Sequence, residues 1–290
     1  MKGNEPMRID SHQHYWRISR NDYGWITPEL PVLYRDFLEK DLRPHLEKNK
    51  IDKTIVVQAA PTIEETEFIL SLSNESETIA GVVGWIDIED ISYKERLENF
   101  RKHPKFVGIR IMIQDMPDER VILKPHYLEA FSYFEKMDIP VDLLVRSDQL
   151  SVVVELLKYV SIRAVIDHIA KPQIKAGTLE PWKSQMKQIA KHPNIYCKLS
   201  GMVTEADHHN WEKEEFIPYV RHIVNEFGVN RVMFGSDWPV CLLSASYDDV
   251  YNLLKETLPP NLTEVEEERI FGGNALKFYK LNMDSQQFKK

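Results

Sequence analysis

The chain has 290 residues, long for an average domain and ordinary for one α/β barrel, so length fits one large domain or two small ones. With 43% hydrophobic residues, 28% charged residues and only 11 glycines, it has the composition of a globular protein with a sizeable core, which excludes collagen-like, fibrous and disordered chains. A formal charge of −8 gives no electrostatic reason to expect nucleic acid or an anionic membrane surface as partner, and leaves a small molecule as the expected ligand.

Taken in chain order, short β-branched runs alternate with helical stretches. The strands are "MRIDSHQH" from Met7, "KTIVVQA" from Lys53, "IAGVVGWIDI" from Ile79, "KFVGIRI" from Lys105, "IPVDLLV" from Ile139, "RAVIDHI" from Arg163, "NIYCKLSG" from Asn194 and "RVMFGSDWP" from Arg231. A wide segment after the first strand, "RISRNDYGWITPELPVLYRDFLEKDL", carries Tyr23, Trp25 and Tyr34 and two prolines, which predicts a structured loop over the strand ends. Apolar positions three and four apart predict helices in "YLEAFSYFEKM" from Tyr127, "SDQLSVVVELLKYV" from Ser147 and "EEFIPYVRHIVNEFG" from Glu214, the last ending at Gly228.

Eight strand–helix units with no Pro/Gly-rich linker predict a single (β/α)8 barrel of the α/β class over residues 1–281, followed by a frayed polar tail over 282–290. Cys197 and Cys241 lie in apolar strand-like contexts, which predicts buried thiols without a disulfide framework and a cytoplasmic location. The start "MKGNEPMRID" lacks the apolar stretch of a secretory signal, Met7 reads as an alternative start, and no apolar run reaches the ~18 residues that span a membrane. A homo-oligomer is compatible with all of this, and nothing in the sequence sets its size.

In such barrels the working residues project from the C-terminal ends of the strands. Alternation puts Asp10, His12 and His14 on one face of the first strand, so two imidazoles can reach one ion, although capping or solvated histidines give the same pattern. His168 ends the sixth strand and Asp237 the eighth; a core histidine bonded to a carbonyl and a helix N-cap are the plain alternatives. Arg110 ends the fourth strand with Gly108 on its face, offering a fork for a carboxylate or hydroxyls, against an ion pair with Asp115 or another loop acid. Lys198 and Ser200 share one face of the seventh strand, Cys197 and Leu199 the other, and the sequence leaves open which face looks inward. No Gly-x-Ser-x-Gly elbow, phosphate loop or dinucleotide fingerprint is present, and His208 and His209 read as a polar loop.

Together "DSHQHYW", "VGIR", "VIDHIAKP", "KLSG" and "FGSDWPV" resemble the amidohydrolase-related barrel hydrolases, in particular their sugar-lactone and pyrone-dicarboxylate lactonase branch. The resemblance implies hydrolysis of a ring ester, with Asp237 as general base, His168 orienting carbonyl or water, and Arg110, Trp238 and Lys198 contacting substrate. It implies a mononuclear site of His12, His14 and Asp237 for one divalent metal such as zinc, occupied or not, since some relatives work without a required metal. The fifth strand, with only Asp142, departs from the metal-bridging pattern of two-metal relatives. Two other functions remain open: a zinc-dependent decarboxylase of an unsaturated acid, and a non-catalytic barrel that binds a sugar acid.

Overall fold

The structure, a computed structural model, describes residues 6–281. The expected tail over 282–290 lies outside the described residues. All eight strands form where the patterning places them: β1 Ile9–Gln13, β2 Lys53–Val57, β3 Ile79–Gly84, β4 Phe106–Met112, β5 Val141–Leu144, β6 Ala164–Ile166, β7 Ile195–Leu199 and β8 Val232–Phe234. They are parallel and pair in sequence order. The seam is closed beyond β8, where the His14 N–H donates to the Trp238 carbonyl at 2.7 Å and the Asp237 N–H to the His12 carbonyl at 2.8 Å. Closure therefore sets the first and last site residues side by side.

Helices α1 Glu39–Asn49, α2 Ile63–Glu75, α3 Tyr93–Arg101, α4 Pro125–Lys136, α5 Leu150–Leu156, α6 Trp182–Ala190, α7 Ile217–Phe227 and α8 Tyr247–Thr257 form the outer layer. Two short helices follow, α9 Glu264–Glu268 and α10 Asn274–Tyr279. The three helices expected from periodicity are α4, α5 and α7, and α7 ends at Gly228 with φ 73°, a conformation that glycine adopts at little cost. No helix among the described residues is long and apolar enough to cross a membrane. Cys197 and Cys241 are buried free thiols.

Two apolar layers hold the barrel. The larger joins the sheet's outer face to the helices. The smaller fills the lower barrel with Ile9, Ile55, Val57, Val83, Val165, Tyr196 and Met233, and α10 plugs it from below with Phe278 and Tyr279. Burying a side chain such as Phe278 contributes about 1.5–3 kcal/mol. Beside this plug a recess of about 780 Å3 opens among the strands' N-terminal ends, lined in part by Lys105, Asp138, Arg163 and Lys280. Arg163 and Lys280 are paired there with Asp138, Lys105 donates to the Ser73 and Ser76 carbonyls, and the recess lies at the end opposite the histidines.

Candidate active site

The local folding of β1 decides where the histidines go. Asp10 pairs with Thr54 and Gln13 with Val56, so three steps along β1 match two along β2 and one residue is extra. This bulge resets the alternation. His12 and His14 turn into the barrel as expected, but Asp10 turns outward, where it accepts from the Ser236 N–H at 2.9 Å and the Tyr247 hydroxyl at 3.1 Å. Burial pushes Asp10 up to about 6. Its role is to tie β1 to the segment after β8.

At the mouth, three imidazoles surround one carboxylate. Asp237 Oδ1 lies 3.3 Å from His14 Nε2, 3.8 Å from His12 Nε2 and 3.8 Å from His168 Nε2, and the four residues are at most 4% exposed. The outer ring nitrogens are anchored: His14 Nδ1 meets the Val57 carbonyl at 2.8 Å and His168 Nδ1 meets Ser200 Oγ at 2.9 Å. Burial lowers His12 and His168 well below the usual histidine range, so both rings are neutral at pH 7. Asp237 is held below the usual carboxylate range: burial pushes it up, and His168, His14 and Lys171 together pull it further down.

Strained backbone aims these groups. His168, Ile169, Ala170 and Lys171 all have left-handed φ between 45° and 60°, and Asp237 has φ 57°. A left-handed conformation costs about 1–2 kcal/mol for each non-glycine residue. The turn lets the neighbours Asp167 and His168 both face the site, which alternation forbids in a strand. Gly201 and Gly235 make room, since a Cβ would stand 2.4 Å from His168 Nδ1 at the first and 2.7 Å from His12 Cβ at the second.

Beneath the imidazoles lies a layer of buried charge. Lys198 faces inward and sets its ammonium 2.5 Å from Asp142 Oδ2, 3.1 Å from His12 Nδ1 and 3.2 Å from Asp167 Oδ1. The Tyr279 hydroxyl donates to Asp142 from below. Arg110 bonds Gln58 through Nε and Nη2 and stands 3.6 Å from Asp167 Oδ2 through Nη1, so its partner is Asp167 rather than Asp115. Of the expected substrate contacts, Arg110 thus sits beside the mouth and Lys198 is fully enclosed under His12. Trp238 is placed elsewhere: it is 1% exposed, its ring packed edge-on against Phe37 and Tyr15, because its carbonyl closes the seam and its indole fills the rim.

Sequence reasoning missed Asp167 as a site group, and also Gln58 and Tyr279. Asp167 had a signal in being an acid beside a strand-end histidine; Gln58 follows the last residue of β2; Tyr279 had none, lying on a terminal helix. His208 and His209 are exposed, His208 bonded to the Thr204 carbonyl. The long loop folds over the rim as expected, with Tyr23 buried and Trp25 40% exposed, its indole N–H on the Ala59 carbonyl.

The mouth donors fit one divalent ion: His12, His168 and Asp237 offer atoms within 4.8 Å of one another, and His14 Nε2 lies 3.2 Å from His12 Nε2. Imidazole and carboxylate ligands suit zinc. A second group, His12, Asp142 and Asp167, surrounds the Lys198 ammonium instead.

Known proteins share this arrangement of fold and chain. The chain is 37% identical over 282 residues to an L-fucono-1,5-lactonase of Burkholderia ambifaria, covering 96% of this chain and 97% of that one. An L-fucono-1,5-lactonase of Burkholderia multivorans is 36% identical, with 95% and 96% covered. A crystal structure of an amidohydrolase from Burkholderia multivorans with bound zinc superposes with a TM-score of 0.91 at 35% identity, covering 95% of this chain and all of that one. Residues 9–281, from the first strand to the end of the described chain, match the amidohydrolase family. With its eight-stranded barrel and its histidines and aspartate at the strand ends, the chain belongs to the amidohydrolase family.

Proposed function

We propose that this protein opens the ring of a sugar-acid lactone by water attack, with Asp237 as general base, and that a deoxy-aldonic 1,5-lactone such as L-fucono-1,5-lactone is the substrate class. The observation that carries the base is the position of Asp237 Oδ1, ionised, at the mouth and facing three imidazole Nε2 atoms. A general base in hydrogen-bond reach of water contributes about 10²–10⁴-fold.

In this scheme Asp237 takes a proton from water as the water oxygen bonds to the lactone carbonyl carbon. The carbonyl oxygen gains the negative charge and is met by the His12 ring N–H, with Arg110 as a fixed cation beside the mouth. His168, braced by Ser200, orients the carbonyl or the water. As the tetrahedral species collapses, the bond to the ring oxygen breaks and the proton on Asp237 passes to that oxygen. The products are a hydroxyl and a carboxylic acid, which ionises at neutral pH. One zinc ion, held by His14, His168 and Asp237 with His12, would supply Lewis-acid polarisation of the carbonyl or water when bound.

The test is an initial-rate assay with a pH indicator on chelator-treated protein, with and without zinc, against L-fucono-1,5-lactone and other aldonic lactones. Ring opening that vanishes in Asp237→Asn supports the reading. Silence on every lactone in both conditions, with release of carbon dioxide from an unsaturated acid in the presence of zinc, replaces it with the decarboxylase.

A further inference from the structure

The ring nitrogens of His12 and His14 are held by opposite kinds of partner. His14 Nδ1 is 2.8 Å from the Val57 carbonyl and its Nε2 is 3.3 Å from Asp237 Oδ1, so both of its nitrogens face groups that can only accept. His12 Nδ1 is 3.1 Å from the Lys198 ammonium, which can only donate, so Nδ1 must accept and a neutral ring carries its proton on Nε2. The two Nε2 atoms lie 3.2 Å apart, and both face Asp237 Oδ1, at 3.8 Å from His12 and 3.3 Å from His14.

A rival partner exists in Asp167, whose Oδ1 is 3.3 Å from His12 Nδ1 and would draw the proton to that nitrogen. The geometry disfavours it, since neither Asp167 oxygen has an aligned hydrogen bond while Lys198 meets His12 in one. Lys198 also has no freedom to turn away. Asp142, Asp167 and His12 all lie within 3.2 Å of its ammonium and all are fully buried, the first and last as hydrogen-bond acceptors and Asp167 as an ion-pair partner. Lys198 stands among the second group of ligand-type residues, where another cation would have to go.

We propose that Lys198 is a positioning residue that fixes the His12 tautomer with the proton on Nε2, and that this resident ammonium thereby weakens the site's hold on a divalent metal. To ligate through Nε2, His12 must move its proton to Nδ1, toward Asp167, and give up the bond from Lys198. The metal-poor form then has a ready N–H donor at the mouth, and the fixed cation below keeps the network neutralised without a second ion. The inference concerns ring protons and metal affinity, and so stands or falls independently of which ester the protein opens.

Two measurements on the full-length chain test it. Long-range 1H–15N correlation of the chelator-treated protein reads the tautomers directly, with His12 and His14 assigned by loss of their signals in His12→Gln and His14→Gln. The expected result is Nε2–H for His12; Nδ1–H at His12 overturns the proposal. Titration calorimetry with zinc then compares wild type with Lys198→Met, paired with Asp142→Asn if the single variant fails to fold. Outer-shell groups that accept from a ligating histidine are worth about 10–100-fold in metal affinity, and Lys198 donates where such a group would accept, so zinc should bind about tenfold tighter to the variant. Unchanged or weaker binding overturns the proposal. Lys198→Arg, which keeps a donor and the charge, should retain both the wild-type tautomer and the weak affinity.

Discussion

Asp237 and Asp142 are both aspartates buried inside one barrel, and their surroundings drive them in opposite directions. Asp237 lies at the mouth among three imidazoles and stays ionised below the usual carboxylate range. Asp142 lies one layer deeper; burial pushes it up to about 6, with Asp167 adding to the rise and Lys198 opposing it. The upper carboxylate has an oxygen aimed at the mouth, whereas the lower one is fully occupied by Lys198 and Tyr279. The difference separates two tasks. In the proposed scheme the mouth layer transfers the proton and the lower layer fixes the positions of the groups above it.

The strongest way to break this comparison is Asp237→Asn, which keeps the shape of the mouth and removes the base. The expected loss is about 10²–10⁴-fold in kcat with KM changed little, read by steady-state ring-opening rates. Full turnover by a folded variant would place the base elsewhere. Next in size is Gly201→Ala, whose Cβ would press on the His168 ring from a backbone at φ 59°. A displacement of order 1 Å can cost about 10²-fold, so kcat should fall by about 10–100-fold, together with a lower Tm.

Tyr279→Phe probes the lower layer. It removes a hydroxyl that lies 2.8 and 3.1 Å from the two Asp142 oxygens, and leaving that carboxylate underbonded should cost about 1–3 kcal/mol in urea unfolding. Because the mouth groups keep their own anchors, kcat should change only a few-fold; a collapse of kcat would merge the two layers into one functional unit.

The smallest effect comes from Glu65, outside both layers, whose Oε1 accepts the Ala59 N–H at 3.0 Å while Oε2 has no partner among the described residues. Burial pushes Glu65 up to about 8. The folded state therefore holds a proton that the unfolded chain releases near 4.5. Stability from this group is full below pH 4.5 and falls as pH rises to about 8, where it levels. Glu65→Gln should flatten the change in Tm between pH 5 and 8.5.

The strand order, the three periodic helices and the mouth residues His12, His14, His168 and Asp237 were legible because apolar runs end in polar groups at the right end of each strand. What was not legible depends on backbone irregularity. The bulge in β1 sends Asp10 outward although its spacing matches the histidines, and the left-handed turn after β6 brings Asp167 in beside His168. Neither leaves a glycine or proline at the irregular residue to announce it. Trp238 shows a related effect: a tryptophan after the strand-end aspartate suggests a pocket wall, and the closure of the seam leaves it 1% exposed.

The plug formed by α10 has a consequence for synthesis. A chain leaving the ribosome presents His12 and His14 almost at once, yet Asp237 follows more than two hundred residues later and Tyr279 only at the last described helix. Until that helix docks from below, Asp142 lacks its hydroxyl partner and the barrel floor is open to water. Contacts between the two ends of a chain form late because they close the longest loops. The floor beneath the site is thus the last part of the described barrel to be completed during translation.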